Sequence, residues 1–408
     1  MRFTWFIARR IIGQRSHRSS VSGPIITIGI IAIALGVITM LIALGTGVGL
    51  KNKIGDKAAA FSGHIRVTTL ENSQRVETLK PLDDADEIRK AIALQSDITS
   101  AQEVAYVPGV MLNHKGFDGI VFKGIDTSFN QDFFSFFGVT DSVAPLQKND
   151  IWISSEIAKK LLLKVGDRVP LYFASEQTTM PKRRTCTVVG VFSTGFSDYD
   201  QTYVLGHLDI VRSLYGWEQD QVGAFELFLD DDTQLTEQSD ALYDSIDALV
   251  DVQHIEEQFP EIFNWIRLFG TNISLIIIIM IVVGGVNMIT ALLVLILEQT
   301  QLIGITRMLG ARVRSLQHLF LIQGAYLIGV GLFWGNLIGL GLLFLQQKTG
   351  FVTLDPNTYY VAKVPVYMDI TTVLWLNGLT LLICMVLLVL PSFIIARIPP
   401  TQALKINP

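Results

Sequence analysis

The sequence VSGPIITIGIIAIALGVITMLIALGTGVGL, residues 21–50, decides the fold because no side chain in it is charged. Three further stretches without charge follow it, at residues 268–297, 315–347 and 370–396. A helix needs about 20 apolar residues to cross the hydrocarbon core of a bilayer, and each stretch exceeds that length. We therefore predict four transmembrane helices, with a large polar insert between the first and the second.

The charged residues are divided unequally around these stretches. Residues 1–20, 298–314 and 397–408 together carry ten Lys and Arg but one acid, Glu298. The remaining 22 Lys and Arg and 36 Asp and Glu lie in the insert, residues 51–267, and in the connection 348–369. Because cytoplasmic segments are enriched in Lys and Arg, we predict that both termini are cytoplasmic and that the insert lies outside. The formal net charge of −5 is the sum of a positive and a negative set of segments.

The pattern of the insert predicts a mixed α+β domain. Segments rich in β-branched residues predict strands, and a polar loop, residues 174–184, joins two of them. The predicted strands include residues 62–70, 98–112, 121–126 and 150–154. Residues 81–94 and 154–163 predict helices, the second with Ser154 or Ser155 as its N-cap. The expected fold class is an α-helical membrane protein with four transmembrane helices plus this large α+β domain between the first and second helices.

Two other local patterns bear on the membrane. Residues 1–20 alternate Arg with apolar residues, which is typical of an amphipathic helix on the cytoplasmic surface and also of a flanking segment that only fixes topology. Gly331, Gly335 and Gly339 recur at a spacing that lets two helix backbones approach closely, within one protomer or across a dimer.

The sequence carries no pattern typical of a catalytic or energy-supplying centre. No phosphate-binding loop is present, the six histidines have no metal-ligand spacing, and the predicted spans contain no charge that could relay ions. Cys186 in the insert and Cys384 in the last span predict buried thiols and no disulfide framework. We therefore expect no enzymatic activity, no metal and no cofactor in this chain, and a partner that supplies the energy.

The segment EQTQLIGITRMLGARVRSLQHLFLIQG, residues 298–324, predicts the place where that partner docks. Apolar residues recur in its first half at helical spacing, in a segment predicted to lie in the cytoplasm. A short amphipathic helix of this kind fits a groove on another protein.

This segment resembles the link between the second and third spans of permeases of the MacB and FtsX superfamily of ABC transporters. Six positions match the family's pattern: Glu298, Ile303, Gly304, Arg307, Gly310 and Ala311. Two positions depart from it, because Gln299 stands where the family has Arg and Leu302 where it has Glu. With Arg314, the six matching residues form the predicted contact with the ATPase.

The resemblance is specific below the level of the superfamily. A strand followed by Phe192, Gly195, Tyr199 and Asp200 is similar to a motif in the periplasmic domain of lipoprotein-releasing, Lol-type permeases. Residues 259–299, 358–373 and 396–405 resemble the family's stalk and second span, its last outer loop and its C-terminal tail. The resemblance implies a bacterial inner-membrane protein with a periplasmic domain.

Membership in this family implies a set of partners. Two permease subunits, the second being the same chain or a homologue, would stand on a cytoplasmic ATPase dimer that holds ATP and Mg²⁺. A lipoprotein would enter from the outer leaflet between first and second spans, and closure would expel it to a soluble periplasmic carrier. Membrane lipid is a further partner, and no nucleic acid is implied. The residues that we predict to line the lipid-accessible cavity are Met40, Leu44, Gly47, Val48, Ile273, Ile276, Ile277 and Met280.

The loop at residues 174–184 is longer than a hairpin usually requires. It combines an apolar anchor, Met180 and Pro181, with three cations, Lys182, Arg183 and Arg184. In the family that the chain resembles, a protruding loop at this place recruits the carrier. We therefore predict carrier binding here, against the alternative of a surface loop without function.

Two other functions stay open from the sequence. The chain could export peptides or drugs through an outer-membrane duct, as MacB-like permeases do. It could also be a permease that transports nothing and passes ATPase motion to a cell-wall hydrolase. The size of the insert and the absence of a fused ATPase favour lipoprotein release over both.

Overall fold

The computed structural model describes residues 22–397, except residues 73–77, 79, 83–84, 96, 115, 127–132, 134–136, 138–145, 175–179, 231–234 and 247–248. The predicted amphipathic segment, residues 1–20, lies outside the described residues, as does nearly all of the tail 397–408. The chain forms two compact units. The membrane unit includes the described residues up to Lys51, Ile266–Thr353 and those from Lys363 onward, and the sheet unit includes Asn52–Trp265 and Leu354–Ala362.

The helices in the described residues are, in chain order, α1 (Ser22–Ser62), α2 (Ala85–Ala93), α3 (Ser155–Leu161), α4 (Ser197–Thr202), α5 (Leu208–Tyr215), α6 (Leu235–Ser245), α7 (Ile255–Gln258), α8 (Pro260–Glu298), α9 (Thr300–Met308), α10 (Val313–Thr349), α11 (Pro356–Tyr359), α12 (Ile370–Ser392) and α13 (Ile394–Arg397). The strands are β1 (Ile65–Thr69), β2 (Ile98–Asn113), β3 (Gly116–Ile125), β4 (Asp150–Ser154), β5 (Arg168–Phe173), β6 (Lys182–Phe192), β7 (Tyr203–His207), β8 (Ala224–Leu229) and β9 (Val250–His254).

In the described part of the chain, four helices are long and apolar enough to cross a membrane, and they coincide with the four predicted stretches. α1 and α8 are longer than their apolar stretches. α1 continues to Ser62 and α8 starts at Pro260, because the adjoining polar residues are good helix formers and Pro is well tolerated at the first position of a helix. Hydropathy marks only the apolar part of such a helix, so it placed the boundaries at residues 50 and 268.

Glycines bring α10 against α1 within the chain. A Cβ atom added at Gly335 would lie 2.7 Å from Cβ of Val37 and 3.0 Å from the carbonyl oxygen of Ala34. Gly331 and Gly339 lie equally close to Ile33 and Leu41. The repeat of glycines therefore serves helix packing inside the membrane unit.

An amide pair joins α10 to α12. Nδ2 of Asn336 donates to Oδ1 of Asn377 at 2.7 Å, and Nδ2 of Asn377 donates to Oδ1 of Asn336 at 3.0 Å. Reciprocal amide bonds satisfy polar groups that would otherwise face apolar surroundings. Neither residue is among those predicted from the sequence.

The sheet unit contains a closed ring of strands with an extension. β2, β3, β7, β4, β6 and β5 pair in that order, and β5 returns to β2, while β8, β1 and β9 continue from the first half of β2. The long strand β2 belongs to both parts because Val110 and Met111 pair with β5, whereas Ala101 and Gln102 pair with β8. The core inside the unit is apolar and includes Val107, Phe122, Phe173 and Val188.

The predicted α+β character of this unit is confirmed, and several elements form where the sequence placed them. β4 has the predicted bounds, and Oγ of Ser154 accepts a hydrogen bond from the backbone N–H of Ile157 at 3.0 Å, as an N-cap does. Cys186 is a buried free thiol, and burial raises its pKa to about 11. β7, β8 and β9 were not predicted.

Candidate functional site

A short helix links the second and third membrane helices. α9 follows α8 after the single residue Gln299, so Glu298 is the last residue of α8. Ile303 of α9 is fully buried in the apolar core of the membrane unit, and Gly304 is buried beside it. α9 is therefore anchored to the membrane unit on one side.

The end of α9 explains why glycine occupies position 310. The N–H of Ala311 bonds the carbonyl of Thr306 at 3.0 Å, and the N–H of Gly310 bonds that of Arg307 at 3.1 Å. This pair of bonds is a Schellman motif, whose residue after the cap adopts the left-handed conformation. Gly310 has φ +89°, which a side chain would strain. Arg314 lies in the first turn of α10 and is exposed.

The other side of α9 presents apolar residues to its surroundings. Leu309 is 83 % exposed and Met308 is 51 % exposed, with Leu302 and Ile305 also exposed. The structure thus divides the predicted apolar stripe into a buried anchor and an exposed patch, which we call the α9 patch and define as Leu302, Ile305, Met308 and Leu309. An exposed apolar patch on a short helix is suited to a partner's groove.

The residues predicted to line a cavity fall into two groups. Met40, Gly47 and Ile273 are buried, and a Cβ atom added at Gly47 would collide with the Ile273 side chain. These three therefore take part in packing within the membrane unit. The remaining five are partly exposed, and they are Leu44, Val48, Ile276, Ile277 and Met280.

A face of α8 that the sequence analysis did not select is more open than any of these residues. Its exposed apolar side chains are Leu275, Ile278, Ile279, Val282, Val283 and Val286. A cavity wall for acyl chains and a surface against lipid both require such a face. Hydropathy alone could not separate it from the buried side, since both sides of α8 are equally apolar.

The motif after β6 forms a compact turn around one carboxylate. Asp200 is buried and accepts hydrogen bonds from the N–H and the hydroxyl of Thr194, both at 2.8 Å, and from the N–H of Gly195 at 3.1 Å. The hydroxyl of Ser193 adds a fourth bond at 3.1 Å. Gly195 has φ +74°, so the tight turn requires glycine there.

The same motif packs against the end of α1. The ring of Tyr199 stacks on the ring of Phe61 with centroids 4.4 Å apart, and both side chains are buried. Burial raises the pKa of Tyr199 well above its usual range, so its ring remains neutral at physiological pH. The motif therefore holds the last turn of α1, which is a structural role.

The outer loop between the last two membrane helices also contacts this turn. Tyr360 stacks on Phe196 with centroids 4.8 Å apart. Nζ of Lys57, on α1, donates to the carbonyl oxygens of Tyr360 and Thr194, both at 3.1 Å. Residues from α1, the motif and the outer loop thus meet within the sheet unit.

The hairpin of β5 and β6 differs from the prediction in its bounds. Phe173 pairs with Lys182, so Lys182, Arg183 and Arg184 are residues of β6, and the loop consists of residues 174–181. The sequence pattern places Arg183 and Arg184 in the loop and also at the start of the second strand, and the structure assigns them, with Lys182, to the strand. Nζ of Lys182 donates to the carbonyl of Leu214, and Arg184 donates to that of Ser213 at 3.4 Å. Met180 is 80 % exposed.

Two family models match the chain. Residues 25–244 match the MacB-like periplasmic core domain, and residues 274–400 match the FtsX-like permease C-terminal family. The first match covers more than half of the chain, and the second covers the described membrane helices α10 and α12 and most of α8.

The chain is also similar to individual known proteins. The chain is 23 % identical over 397 residues to the lipoprotein-releasing system transmembrane protein LolC of Xylella fastidiosa, with 92 % of each chain covered. It is 30 % identical over 126 residues to the macrolide export ATP-binding/permease protein MacB of Wolinella succinogenes, which covers 31 % of this chain and 18 % of that protein. The crystal structure of the periplasmic region of MacB from Actinobacillus actinomycetemcomitans matches with a TM-score of 0.34 at 14 % identity, covering 49 % of this chain and 92 % of that one.

The two matched families define the class of this protein, which is the permease component of an ABC transporter. The chain belongs to the MacB/FtsX superfamily of such permeases, and over most of its length it is similar to LolC, a protein of the lipoprotein-releasing, Lol-type system. The resemblance inferred from the sequence motifs is thereby confirmed.

We predict that Asp200→Asn destabilises the sheet unit. The amide keeps one acceptor oxygen but turns an NH₂ group toward N–H and O–H donors, and hydrogen bonds to a charged group contribute about 1.5 to 3 kcal/mol each. The free energy of unfolding should fall by roughly 2 to 4 kcal/mol. Thermal and urea unfolding of the detergent-solubilised chain measure the change. Asp198→Asn, at an exposed carboxylate two residues away, is the matched control and should change it by less than about 0.5 kcal/mol. Equal stability of the two variants would contradict the assigned role.

Proposed function

We propose that the chain is the permease subunit of an ABC transporter that extracts lipoproteins from the outer leaflet of the inner membrane. A separate ATPase drives the reaction, and a soluble periplasmic carrier takes the product. The observation that carries this proposal is the match over nearly the whole length of LolC, since both the membrane unit and the sheet unit are included in it. The termini and the α9 patch are cytoplasmic in this proposal, as the distribution of Lys and Arg predicts.

The chemistry of the task requires the partners. Each CH₂ group of an acyl chain that leaves an apolar environment costs about 0.8 kcal/mol, so extraction of several chains costs tens of kcal/mol. A cytoplasmic ATPase dimer with bound ATP and Mg²⁺ supplies that energy, and a second permease subunit, the same chain or a homologue, completes the membrane part. An apolar site on the carrier accepts the chains.

The ATPase docks on the α9 patch in this proposal. Ile303 and the Schellman motif at Gly310 fix the helix, so the exposed side chains are presented in one orientation. Glu298, Arg307 and Arg314 lie on or beside α9 and would add polar contacts at its rim, whereas Ala311 takes part through its backbone N–H in the motif that ends the helix. Gly304 and Gly310 act through the shape of the helix and its end.

We predict that the double substitution Met308→Ser and Leu309→Ser separates the permease from its ATPase. Burial of each of these side chains in a groove is worth about 1.5 to 3 kcal/mol, so the affinity should fall more than about tenfold. Co-purification from detergent extracts and a binding titration measure the loss. Gln301→Ser, which changes an exposed polar residue of the same helix, is the control and should bind normally. Normal binding of the ATPase by both variants would contradict the proposal that the ATPase docks on the α9 patch. Gly310 is not a suitable test, because any side chain there strains the helix end.

The lipoprotein contacts the first and second membrane helices in this proposal. The partly exposed residues Leu44, Val48, Ile276, Ile277 and Met280 form the cavity wall. Met40, Gly47 and Ile273 lie behind them and set the packing of α1 on α8. An apolar wall of this kind accepts the acyl chains of a lipoprotein whatever the amino-acid sequence of that lipoprotein.

We predict that a photocrosslinking residue at Ile277 captures a lipoprotein in intact membranes, because its side chain reaches the cavity. A probe at Leu340, an exposed residue of the third membrane helix, is the control and should capture lipid alone. Immunoblotting of the crosslinked products against an abundant lipoprotein distinguishes the two. Equal capture at both positions would mean nonspecific exposure to the membrane and would contradict the cavity.

The carrier binds the β5–β6 hairpin in this proposal. Met180 is exposed at the end of the loop beside Pro181, and Arg183 is exposed on the adjoining strand. Lys182 and Arg184 donate to carbonyls at the end of α5, so they hold the base of the hairpin and contribute their charge from there. An apolar anchor with cations beside it combines affinity with electrostatic steering.

We predict that replacement of residues 175–180 by Asn-Gly abolishes carrier binding while folding and basal ATPase activity persist, because β5 and β6 can be joined by a two-residue turn. Met180→Ser should weaken binding about tenfold or more, as the loss of one buried side chain does. Leu94→Ser, which removes a similarly exposed apolar side chain elsewhere in the sheet unit, is the control. A pull-down with the purified carrier measures binding, and carrier that still binds the shortened hairpin would refute the assignment.

The similarity to a segment of MacB supports a second candidate, export of peptides or drugs. It is the weaker candidate because the match covers 18 % of that protein, whereas the match to LolC covers 92 % of that protein. Reconstituted ATPase activity distinguishes them. Stimulation by a lipoprotein favours release, and stimulation by a macrolide without response to lipoprotein favours export.

A further inference from the structure

A charged pair is buried in the sheet unit. Nζ of Lys123, on β3, lies 2.8 Å from Oε2 of Glu226, on β8, and neither side chain is exposed. The hydroxyl of Tyr106, on β2, donates to the other carboxylate oxygen of Glu226. Burial raises the pKa of Tyr106, so the phenol stays a hydrogen-bond donor. Three strands are therefore tied together by one polar network inside an apolar core.

Lys123 also reaches the end of the first membrane helix. Its ammonium donates to the carbonyl oxygen of Phe61 in the last turn of α1 and lies 4.7 Å from the centroid of the Phe61 ring. The last carbonyls of a helix lack partners within the helix and carry the negative end of its dipole. A buried cation at this point satisfies the carbonyl and attracts the helix end. Glu226 compensates the charge of that cation.

Two residues, Gly63 and His64, connect α1 to β1, and the first of them can act as a backbone hinge. Gly63 follows Ser62 with φ +74°, and His64 then donates its N–H to the carbonyl of Leu227 on β8 at 2.8 Å. A Cβ atom at Gly63 would lie 3.0 Å from Cβ of Glu226. Glycine is the residue with the greatest backbone freedom, so rotation at this point would separate α1 from the sheet unless other contacts prevent it.

The strands at this end connect the two long helices. β1 continues from α1, and β9 leads through α7 into α8. β1 and β9 pair directly, with Ile65 opposite His254, and β1 pairs on its other side with β8, with Ile65 opposite Leu227. The network of Lys123 and Glu226 thus sits where α1 enters the sheet, one strand from the position where α8 leaves it.

We propose that Lys123 is a positioning residue that locks the end of α1 to the sheet, so that a displacement of α1 moves the strands instead of being absorbed by rotation at Gly63. The part that concerns transport rests on the function proposed above. Glu226 holds the ammonium in place, and Tyr106 holds Glu226.

The first measurement is the distance between two labels within the sheet unit. Nitroxides at Asn52→Cys on α1 and Thr99→Cys on β2, both exposed positions, report how tightly the helix is held. Cys186→Ala and Cys384→Ala remove the natural thiols from the full-length permease. The distance distribution should be narrow with Lys123 present, and Lys123→Met should widen it at least twofold.

The second measurement compares the ATPase activity and lipoprotein release of the complex reconstituted with its ATPase. Lys123→Met should retain ATP hydrolysis and lose release at least tenfold, because motion no longer reaches the sheet. Lys160→Met is the matched control, since Lys160 pairs with Asp118 of the same strand β3 at 2.7 Å but is 63 % exposed. This variant should behave like the parent in both measurements.

A further variant separates positioning from stability. Apolar replacement of a buried charged network is often neutral for folding, so the triple variant Lys123→Met, Glu226→Met and Tyr106→Phe tests the case in which Lys123→Met alone fails to fold. The proposal expects a broad distribution and impaired release in a folded triple variant. A narrow distribution with normal release would overturn it, because the network would then only fill space. If the parent complex releases no lipoprotein, the proposed function fails, while the label distances still decide whether Lys123 locks the helix.

Discussion

The last carbonyl groups of a helix that extends out of a membrane need hydrogen-bond donors that the helix itself cannot supply. α1 ends inside a folded sheet, and this position dictates much of the sheet unit. The carbonyl of Phe61 meets a lysine, the N–H of Gly63 bonds the carbonyl of Ala59 at 2.7 Å, and the Phe61 ring requires an aromatic surface. Tyr199 supplies that surface, and Asp200 shapes the turn that presents it. The sequence motif after β6 therefore forms the surface on which the last turn of α1 packs.

The sequence predicted the parts of this structure that depend on local composition. A long stretch without charge is sufficient to predict a membrane helix, because no other environment favours it at that length. The N-cap at Ser154 and the strand β4 were also predicted from local sequence, because a serine followed by Glu156 in the first turn is typical of a helix start. The end of α1 and the start of α8 were missed because polar residues extend each helix beyond its apolar part, and hydropathy marks only that part. The bounds of the loop before β6 were predicted less well, because three consecutive cations, Lys182 to Arg184, fit a polar loop as well as the start of a strand.

Other features depend on contacts between residues far apart in the chain, and no local pattern encodes them. Lys123 and Glu226 are 103 residues apart, and each taken alone reads as a surface charge between apolar neighbours. Lys57 and Tyr360 are 303 residues apart and meet through a backbone carbonyl, which leaves no trace in side-chain periodicity. Which of the predicted cavity residues are buried and which are partly exposed also depends on contacts between distant parts of the chain. Met40 and Leu44 are both apolar, and only packing within the membrane unit determines that the first is buried and the second partly exposed.

The short helix α9 shows how a small element can carry force in the proposed transporter. Nine residues are too few to form a stable helix alone, so α9 persists because its neighbours hold it. Ile303 anchors one side in the membrane unit, a single residue separates its start from α8, and the Schellman motif at Gly310 fixes its end. A partner that moves the exposed Leu309 therefore cannot simply unwind or tilt the helix, because each of these attachments would have to break first. In the proposed transporter the displacement passes instead to α8 and α10. The backbone of α10 packs closely on α1 at its glycines, so a displacement of α10 is passed to α1. In the proposed transporter, motion that begins at α9 would reach α1, the helix whose last turn contacts Lys123.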